Sequence, residues 1–318
     1  MTSVAKAGRT SPSWMTRFWA VVRYELLWNI RKKKFLAVVI VAFALVTLSL
    51  ALPVILSSTI GESVGANPDY VVTSSIGSFG FFLFALVTAM NSISGEFESG
   101  TIVPLLTKPV SRTMVFLGKL FAAFTIILVT YTILFAYTVL GGTVVYGAQN
   151  NLHLVPLTLL GSILSTFVWI AIVLAVASLS KSSMIAAIGG LGIFLALLIS
   201  APIVSAFSSQ AWVLTYVPGS GASGTLGAAG PINVTTAESV ATGTDGIGAN
   251  LATFVLHSNA NVTFYRLGII GPGPPTIVPL YTEPLSLVLA RSIAVAFVYV
   301  AVFLLVAWFF FRRAQVLE

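Results

Sequence analysis

Six long apolar stretches constrain the fold of this 318-residue chain more than any other feature of its sequence. A helix needs about 20 mainly apolar residues to cross the hydrocarbon core of a bilayer, which is about 30 Å thick. Each stretch should be a helix, because only a helix satisfies its own backbone hydrogen bonds in lipid. The predicted spans are residues 35–56, 72–93, 114–140, 155–179, 183–207 and 285–311.

The composition favours a membrane protein and excludes several kinds of site. Charged residues make up 8% of the chain, against about 25% in soluble proteins. Without cysteine there are no disulfides or thiolate ligands, and two histidines, His153 and His257, cannot supply an H-E-x-x-H zinc motif. No P-loop and no catalytic constellation is present, so we predict no catalytic residue, no metal site and no ATP site in this chain.

Lysine and arginine predict the orientation. Most of them precede the first span, lie in the loops after the second and fourth spans, or follow the sixth span. The positive-inside rule therefore predicts a multi-pass protein of the cell membrane with both termini in the cytoplasm. The net charge of +7 then faces anionic lipid, which argues against nucleic acid as a partner.

The regions outside the spans are unequal. Residues 1–34 form the predicted cytoplasmic N-terminus, with an amphipathic interfacial helix over 13–34 whose tryptophans suit the headgroup layer. Residues 35–207 hold the first five spans, and residues 285–318 hold the sixth span and a short tail. The fold class is thus an all-α integral membrane protein with six transmembrane helices, an interfacial helix and a small β-containing extracellular loop domain.

That loop domain covers residues 208–284. Residues 251–256 and 262–270 alternate in polarity around a polar turn, which predicts a β-hairpin. Asn233 and Asn261 each begin an N-x-T sequence, so both are predicted acceptors for N-glycosylation.

Arg291 lies about six residues inside the sixth span, near its outer end. An intramembrane charge is a functional-site hypothesis by default, so Arg291 is a candidate contact for an anionic substrate group. Two structural alternatives stay open: pairing with Glu283 or another acid of the loop, and snorkelling to the headgroups.

The loop over residues 94–112 carries the densest polar sequence between two spans. Its order is an acidic pair, Glu96 and Glu98, then Gly100-Thr101, a leucine pair, Pro109 and Arg112. The two carboxylates stand two residues apart and therefore point to different sides of a helix. Gly100 suits a backbone turn that a side chain would strain.

This segment resembles the signature of type-2 ATP-binding-cassette (ABC) exporter permeases, with the match continuing to Gly118-Lys119 at the start of the third span. The basic amphipathic N-terminal helix is similar to the one in that family. The resemblance implies a permease subunit that pairs with a second copy or a paralogue. It also implies that separate ATPase subunits, which bind ATP and Mg, dock on a coupling element formed by the loop 94–112.

The resemblance assigns coupling roles to Glu96, Glu98, Gly100, Thr101, Pro109 and Arg112. The carboxylates are expected to pair with a cation of the ATPase or to cap a short helix starting near Thr101. Two other functions stay open: a non-transporting scaffold or accessory subunit with an extracellular cap, and a membrane enzyme. The enzyme is disfavoured because catalytic groups are missing.

Overall fold

The computed structural model describes residues 13–31, 33–61, 65–74, 78–98, 100, 110–207, 211–219, 223–228, 238–241, 243–268 and 276–313. Within these residues, six segments are long and apolar enough to cross a membrane. The predicted all-α membrane fold is thereby confirmed, and a small sheet accompanies it in the loop before the sixth span.

Five spans are continuous helices with bounds close to the predicted ones. The fifth span matches its predicted range, and the third extends past it at both ends. The interfacial helix runs over Trp14–Ile30 and begins at Ser13, whose hydroxyl accepts a hydrogen bond from the Thr16 amide. The first, third, fourth, fifth and sixth spans are Lys33–Ile60, Arg112–Tyr146, Val155–Ser180, Ser183–Phe207 and Leu285–Arg313.

The second span is interrupted, and the predicted continuous helix over 72–93 is wrong. Its first residues lie in a separate turn of helix, Tyr70–Thr73. The span proper is Ser78–Ala89, followed by a tight turn and a short helix, Ser94–Glu98. In the turn after the span proper, the Ser94 hydroxyl donates to the Met90 carbonyl.

The fourth span is the centre of the bundle. In its most apolar stretch 72% of the residues are buried, against 22% in the corresponding stretches of the first and fifth spans. Trp169, near the middle of the fourth span, is fully enclosed. It packs against Phe82 of the second span and Phe194 of the fifth, so an aromatic contact joins three spans at the core.

The loop before the sixth span contains a four-stranded antiparallel sheet in the order β2-β1-β3-β4. Here β1 is Ser223–Ala228, β2 is Glu238–Ala241, β3 is Ala260–Gly268 and β4 is Thr276–Pro284. The predicted strand over 262–270 is therefore present as β3, but its hairpin partner is β4.

The predicted strand over 251–256 is wrong, because these residues belong to a helix, Ile247–Leu256. Alternation over six residues is ambiguous between strand and helix. Ile247 and Gly248 pack against Gly161 of the fourth span, and Ala252 is fully buried. We call residues 243–256 the re-entrant segment, since they run into the bundle beside that span.

The re-entrant segment reaches far along the fourth span. The Ser165 hydroxyl donates to the Thr244 carbonyl at 2.6 Å. Ser165 lies ten residues after Val155, where that span begins, or about 15 Å along the helix axis. This part of the loop therefore lies beside the fourth span and not beyond its end.

Candidate functional site

The short helix Ser94–Glu98 lies at the end of the bundle that also carries the interfacial helix and the end of the sixth span. We call this the terminal end. The two carboxylates of the short helix point to different neighbours, as their spacing predicts. Glu96 contacts the third span, and Glu98 contacts the start of the fifth.

Glu96 belongs to a buried charge cluster, the Glu25–Lys119–Glu96 triad. The Lys119 ammonium lies 2.5 Å from Glu25 Oε1 and 2.7 Å from Glu96 Oε1. The Lys119 and Glu25 side chains are each 4% exposed, and that of Glu96 is 14% exposed. Buried charges need such partners because desolvation is costly. The triad therefore joins the interfacial helix, the third span and the short helix through a single ammonium group.

Gly118, the residue before Lys119, lets the interfacial helix reach the triad. A Cβ built at Gly118 would lie 2.7 Å from Val21 Cγ1 of the interfacial helix, too close for a side chain. The Gly-Lys pair at the start of the third span therefore has a two-part explanation. The glycine permits the close approach of the two helices, and the lysine binds the carboxylate that this approach brings near.

Glu98 caps the fifth span. Its Oε1 accepts hydrogen bonds from the Ser183 amide at 2.7 Å and from the Ser182 hydroxyl at 2.9 Å, and its Oε2 accepts one from the Ser183 hydroxyl. A carboxylate at a helix N-terminus satisfies unpaired amides and interacts favourably with the helix dipole. The short helix is thus tied to the fifth span by hydrogen bonds at the surface.

Aromatic and backbone contacts tie the same loop to the sixth span. The Phe97 ring lies 6.4 Å from the Phe311 ring, edge to face. After the undescribed residues 101–109, Arg112 Nη1 donates to the Arg312 carbonyl at 2.7 Å, so it meets the carbonyl end of the helix, where a cation is favoured. Both sides of the loop therefore contact the C-terminal turn of the sixth span.

The predicted coupling residues can now be placed. Gly100 has φ +66, the left-handed conformation that favours glycine. Thr101 and Pro109 lie outside the described residues. Glu96 and Glu98 were expected to bind a partner cation or to cap a helix near Thr101. Within this chain they bind Lys119 and the start of the fifth span, and the two expected roles stay predictions.

The sequence analysis missed three residues of this site: Glu25, Ser182 and Ser183. Glu25 carried a usable signal, because it is the one acidic residue in the first 34, among eight lysines and arginines. The two serines carried none, since a polar pair between two spans is common in any short loop.

Arg291, the other predicted site residue, is held in a structural pair. Its Nη2 lies 2.6 Å from Glu283 Oε2, and its Nη1 donates to the Thr215 hydroxyl at 3.3 Å. Pairing with Glu283 was one of the alternatives left open, and the contacts match it. Nearby, burial raises the pKa of the Tyr281 phenol to about 12, and the carboxylate of Glu283 adds to the increase.

The two predicted glycosylation acceptors remain predictions. Asn233 lies outside the described residues. Asn261 is half-buried in β3, between Gly227 of β1 and Pro284 of β4.

Comparison with known proteins identifies a family that covers most of the chain. The family of ABC-2 family transporter proteins matches residues 19–316. A curated relative, the probable ABC transporter permease protein NosY of Stutzerimonas stutzeri, is 32% identical over 108 residues. That match covers 33% of this chain and 38% of the relative, so the chain matches well under half of that protein's length.

Proposed function

This chain belongs to the ABC-2 transporter family and is a multi-pass membrane subunit of an ABC transporter. We propose that it is an exporter permease driven by separate ATPase subunits. ATP and Mg bind in those subunits. The short helix Ser94–Glu98 and the loop that follows it receive the movement of the ATPase and pass it to the spans.

The connections of the short helix carry this proposal. Through Glu96 and Lys119 it is bonded to the third span and the interfacial helix, and through Glu98 it is bonded to the fifth span. Phe97 contacts the sixth span. A force applied to the short helix therefore reaches the third, fifth and sixth spans directly, and it reaches the interfacial helix through Lys119. The relative NosY is itself described as an ABC transporter permease, which supports the same role.

We further propose that two copies of this chain, or this chain and a paralogue, form the membrane unit. Only 22% of the residues are buried in the most apolar stretch of the first span and of the fifth, and 11% in that of the sixth, which leaves long apolar faces for lipid or a second permease. Mass measurement of the complex in native membranes tests this proposal, and a single permease copy with its ATPases would contradict it.

Glu98→Ala tests the coupling role with little risk to folding, because Glu98 is surface-exposed while Glu96 belongs to the buried triad. We expect that the ATPase subunits which co-purify with the wild type no longer do so, or that the permease-dependent turnover of ATP in lipid falls about tenfold. The reason is that the short helix is no longer bonded to the fifth span.

The matched control is Asp69→Ala, which removes a carboxylate that accepts a hydrogen bond from Asn151 in a different region of the chain. This variant should keep both ATPase binding and turnover. Normal binding and turnover in Glu98→Ala would remove the carboxylate from the mechanism and favour the scaffold function.

Orientation is a separate prediction, which follows from the distribution of lysine and arginine. The chain has no native cysteine, so single cysteines at Ser13 and Ser223 can be labelled cleanly. In intact cells an impermeant maleimide should label Ser223→Cys in β1, whereas Ser13→Cys should react only after permeabilisation. The reverse labelling pattern would show that the chain has the opposite orientation in the membrane.

A further inference from the structure

A groove runs along the side of the first span that faces the second. The first span contributes one stripe of its surface to the groove, and the second span contributes a shorter stripe that includes Gly80, which has no side chain. The lining includes Val38, Ala42, Leu45 and Ser49 of the first span and Gly80 and Phe84 of the second. Since Leu45 and Ser49 are exposed, the open side of the groove faces lipid.

The groove has the width of a single hydrocarbon chain. Val38 and Ser49 stand eleven positions apart, or about 16 Å along the helix axis. The volume of the groove, about 60 Å³, accommodates about four to six groups the size of a water molecule. Over that length such groups stand in single file, which suits one polymethylene chain and leaves no room for a bulky ring system.

Two lysines lie at one end of this groove, the terminal end of the bundle. Lys34 precedes Val38 by about one helical turn and therefore lies on the same face of the first span, with Lys33 directly before it. Both lysines are exposed, and the described part of the chain gives neither of them an ion pair. Glu98, whose charge acts on Lys34, is already bonded to the start of the fifth span.

The opposite end of the groove carries hydroxyl groups and an acid. Ser49 also lines a second, smaller space, whose other walls include Tyr70, Ser74 and Thr138. The Ser74 and Thr138 hydroxyls donate to backbone carbonyls close by in the sequence, and Asp69 directly precedes Tyr70. An anionic headgroup is therefore favoured at the lysine end and disfavoured at this one.

We propose that the groove binds one acyl chain of an anionic phospholipid, whose headgroup phosphate meets Lys33 and Lys34. The phospholipid belongs to the leaflet at the terminal end of the bundle. An apolar chain gains little by leaving lipid for an apolar protein surface, so charge attraction at the lysines decides which phospholipid binds. The proposal concerns lipid recognition and does not rest on the proposed transport function.

A second permease copy is the other candidate to cover this face. A helix with its side chains is about 10 Å wide, whereas the groove is one hydrocarbon chain wide. A helix of a second copy could therefore lie over the groove but could not fill it.

The test is native mass spectrometry of the purified permease in detergent, titrated with phosphatidylglycerol or phosphatidylcholine that carry the same acyl chains. For the first bound lipid we expect the anionic phosphatidylglycerol to bind about tenfold tighter than the zwitterionic phosphatidylcholine, as two lysines beside a headgroup predict. Equal affinities of the two lipids would overturn the proposal.

Ala42→Trp fills the groove and should weaken the first binding step of phosphatidylglycerol about tenfold, because the indole takes the place and the contacts of the chain. The matched control is Ala44→Trp, the same substitution at an exposed position that does not line the groove. This control should bind both lipids like the wild type. Lys33→Gln combined with Lys34→Gln should keep the binding of phosphatidylcholine and lose the preference for phosphatidylglycerol.

Wild-type lipid binding in Ala42→Trp, or an unchanged preference in the double lysine variant, would overturn the proposal. If Ala42→Trp does not fold, Ser49→Trp takes its place, since Ser49 lines the same groove and is exposed. Loss of a second permease copy from the measured mass of Ala42→Trp, with lipid binding unchanged, would assign the groove to the permease pair instead. No ATPase is present in this experiment, so its failure concerns the groove alone, whereas failure of the Glu98→Ala test concerns coupling.

Discussion

Replacing Lys119 with methionine is expected to destabilise the protein by about 3–5 kcal/mol, the cost of removing one partner from a buried ion pair. Methionine keeps the length of the side chain but removes the ammonium group. Glu25, 4% exposed, and Glu96, 14% exposed, would then lie close together without a cation. The measurement is the thermal unfolding temperature in detergent, monitored by intrinsic fluorescence.

The matched control is Lys34→Met, which removes an exposed ammonium group from the start of the first span. This change should leave the unfolding temperature nearly unchanged, since exposed charges contribute little to stability. Equal unfolding temperatures for the two methionine variants would show that the triad does not stabilise the fold.

A rescue tests whether the two uncompensated carboxylates cause the loss of stability. Combining Lys119→Met with Glu25→Gln and Glu96→Gln leaves the cluster neutral, and replacing a whole buried ion cluster is often neutral for stability. We expect the triple variant to recover most of the loss. If it unfolds as easily as Lys119→Met alone, the two uncompensated carboxylates are not the cause of the loss.

The spans could be predicted because hydropathy is a local property. A run of about 20 apolar residues has few stable alternatives to a membrane helix, and the fifth span lies where its sequence predicts it. The interruption of the second span was not predicted, because hydropathy alone does not show where an apolar run leaves the helix.

The triad could be predicted only in part. The motif residues Glu96 and Lys119 were recognised from their resemblance to a family, but their partner Glu25 lies 94 positions before Lys119 in the chain. No spacing rule connects two such residues. The contact depends on how closely the interfacial helix packs on the third span, and Gly118 allows that approach.

The helix in the re-entrant segment was not predicted, because part of it was interpreted as a strand. Its residues lie in a loop rich in glycine and small polar side chains, a composition typical of exposed loops. What draws it into the bundle is a complementary surface on the fourth span, where Gly161 faces Gly248. Such long-range complementarity is invisible in either segment alone.

Gly161→Ala tests that contact and should have a large effect. A Cβ built at Gly161 would lie 2.5 Å from Gly248 Cα and 2.6 Å from its amide nitrogen. Both are backbone atoms, so the re-entrant helix itself must move. Overpacking of this kind costs about 1–3 kcal/mol and often more when the backbone cannot adjust.

Gly192→Ala gives the sharpest comparison, because it makes the same substitution in the fifth span where nothing lies within 4 Å of the new methyl group. Alanine favours a helix over glycine by about 1 kcal/mol, so this variant should be neutral or slightly more stable. The two glycine-to-alanine changes are therefore expected to have opposite signs in a thermal unfolding measurement.

Displacement of the segment can be seen directly with Ala252→Cys, a small change at a fully buried position of the re-entrant helix. In the otherwise wild-type chain this cysteine should resist an impermeant maleimide. With Gly161→Ala it should react, since the helix no longer fits against the fourth span, whereas with Gly192→Ala it should stay protected. Equal protection in both variants, together with equal unfolding temperatures, would mean that the glycine contact does not hold the segment in the bundle.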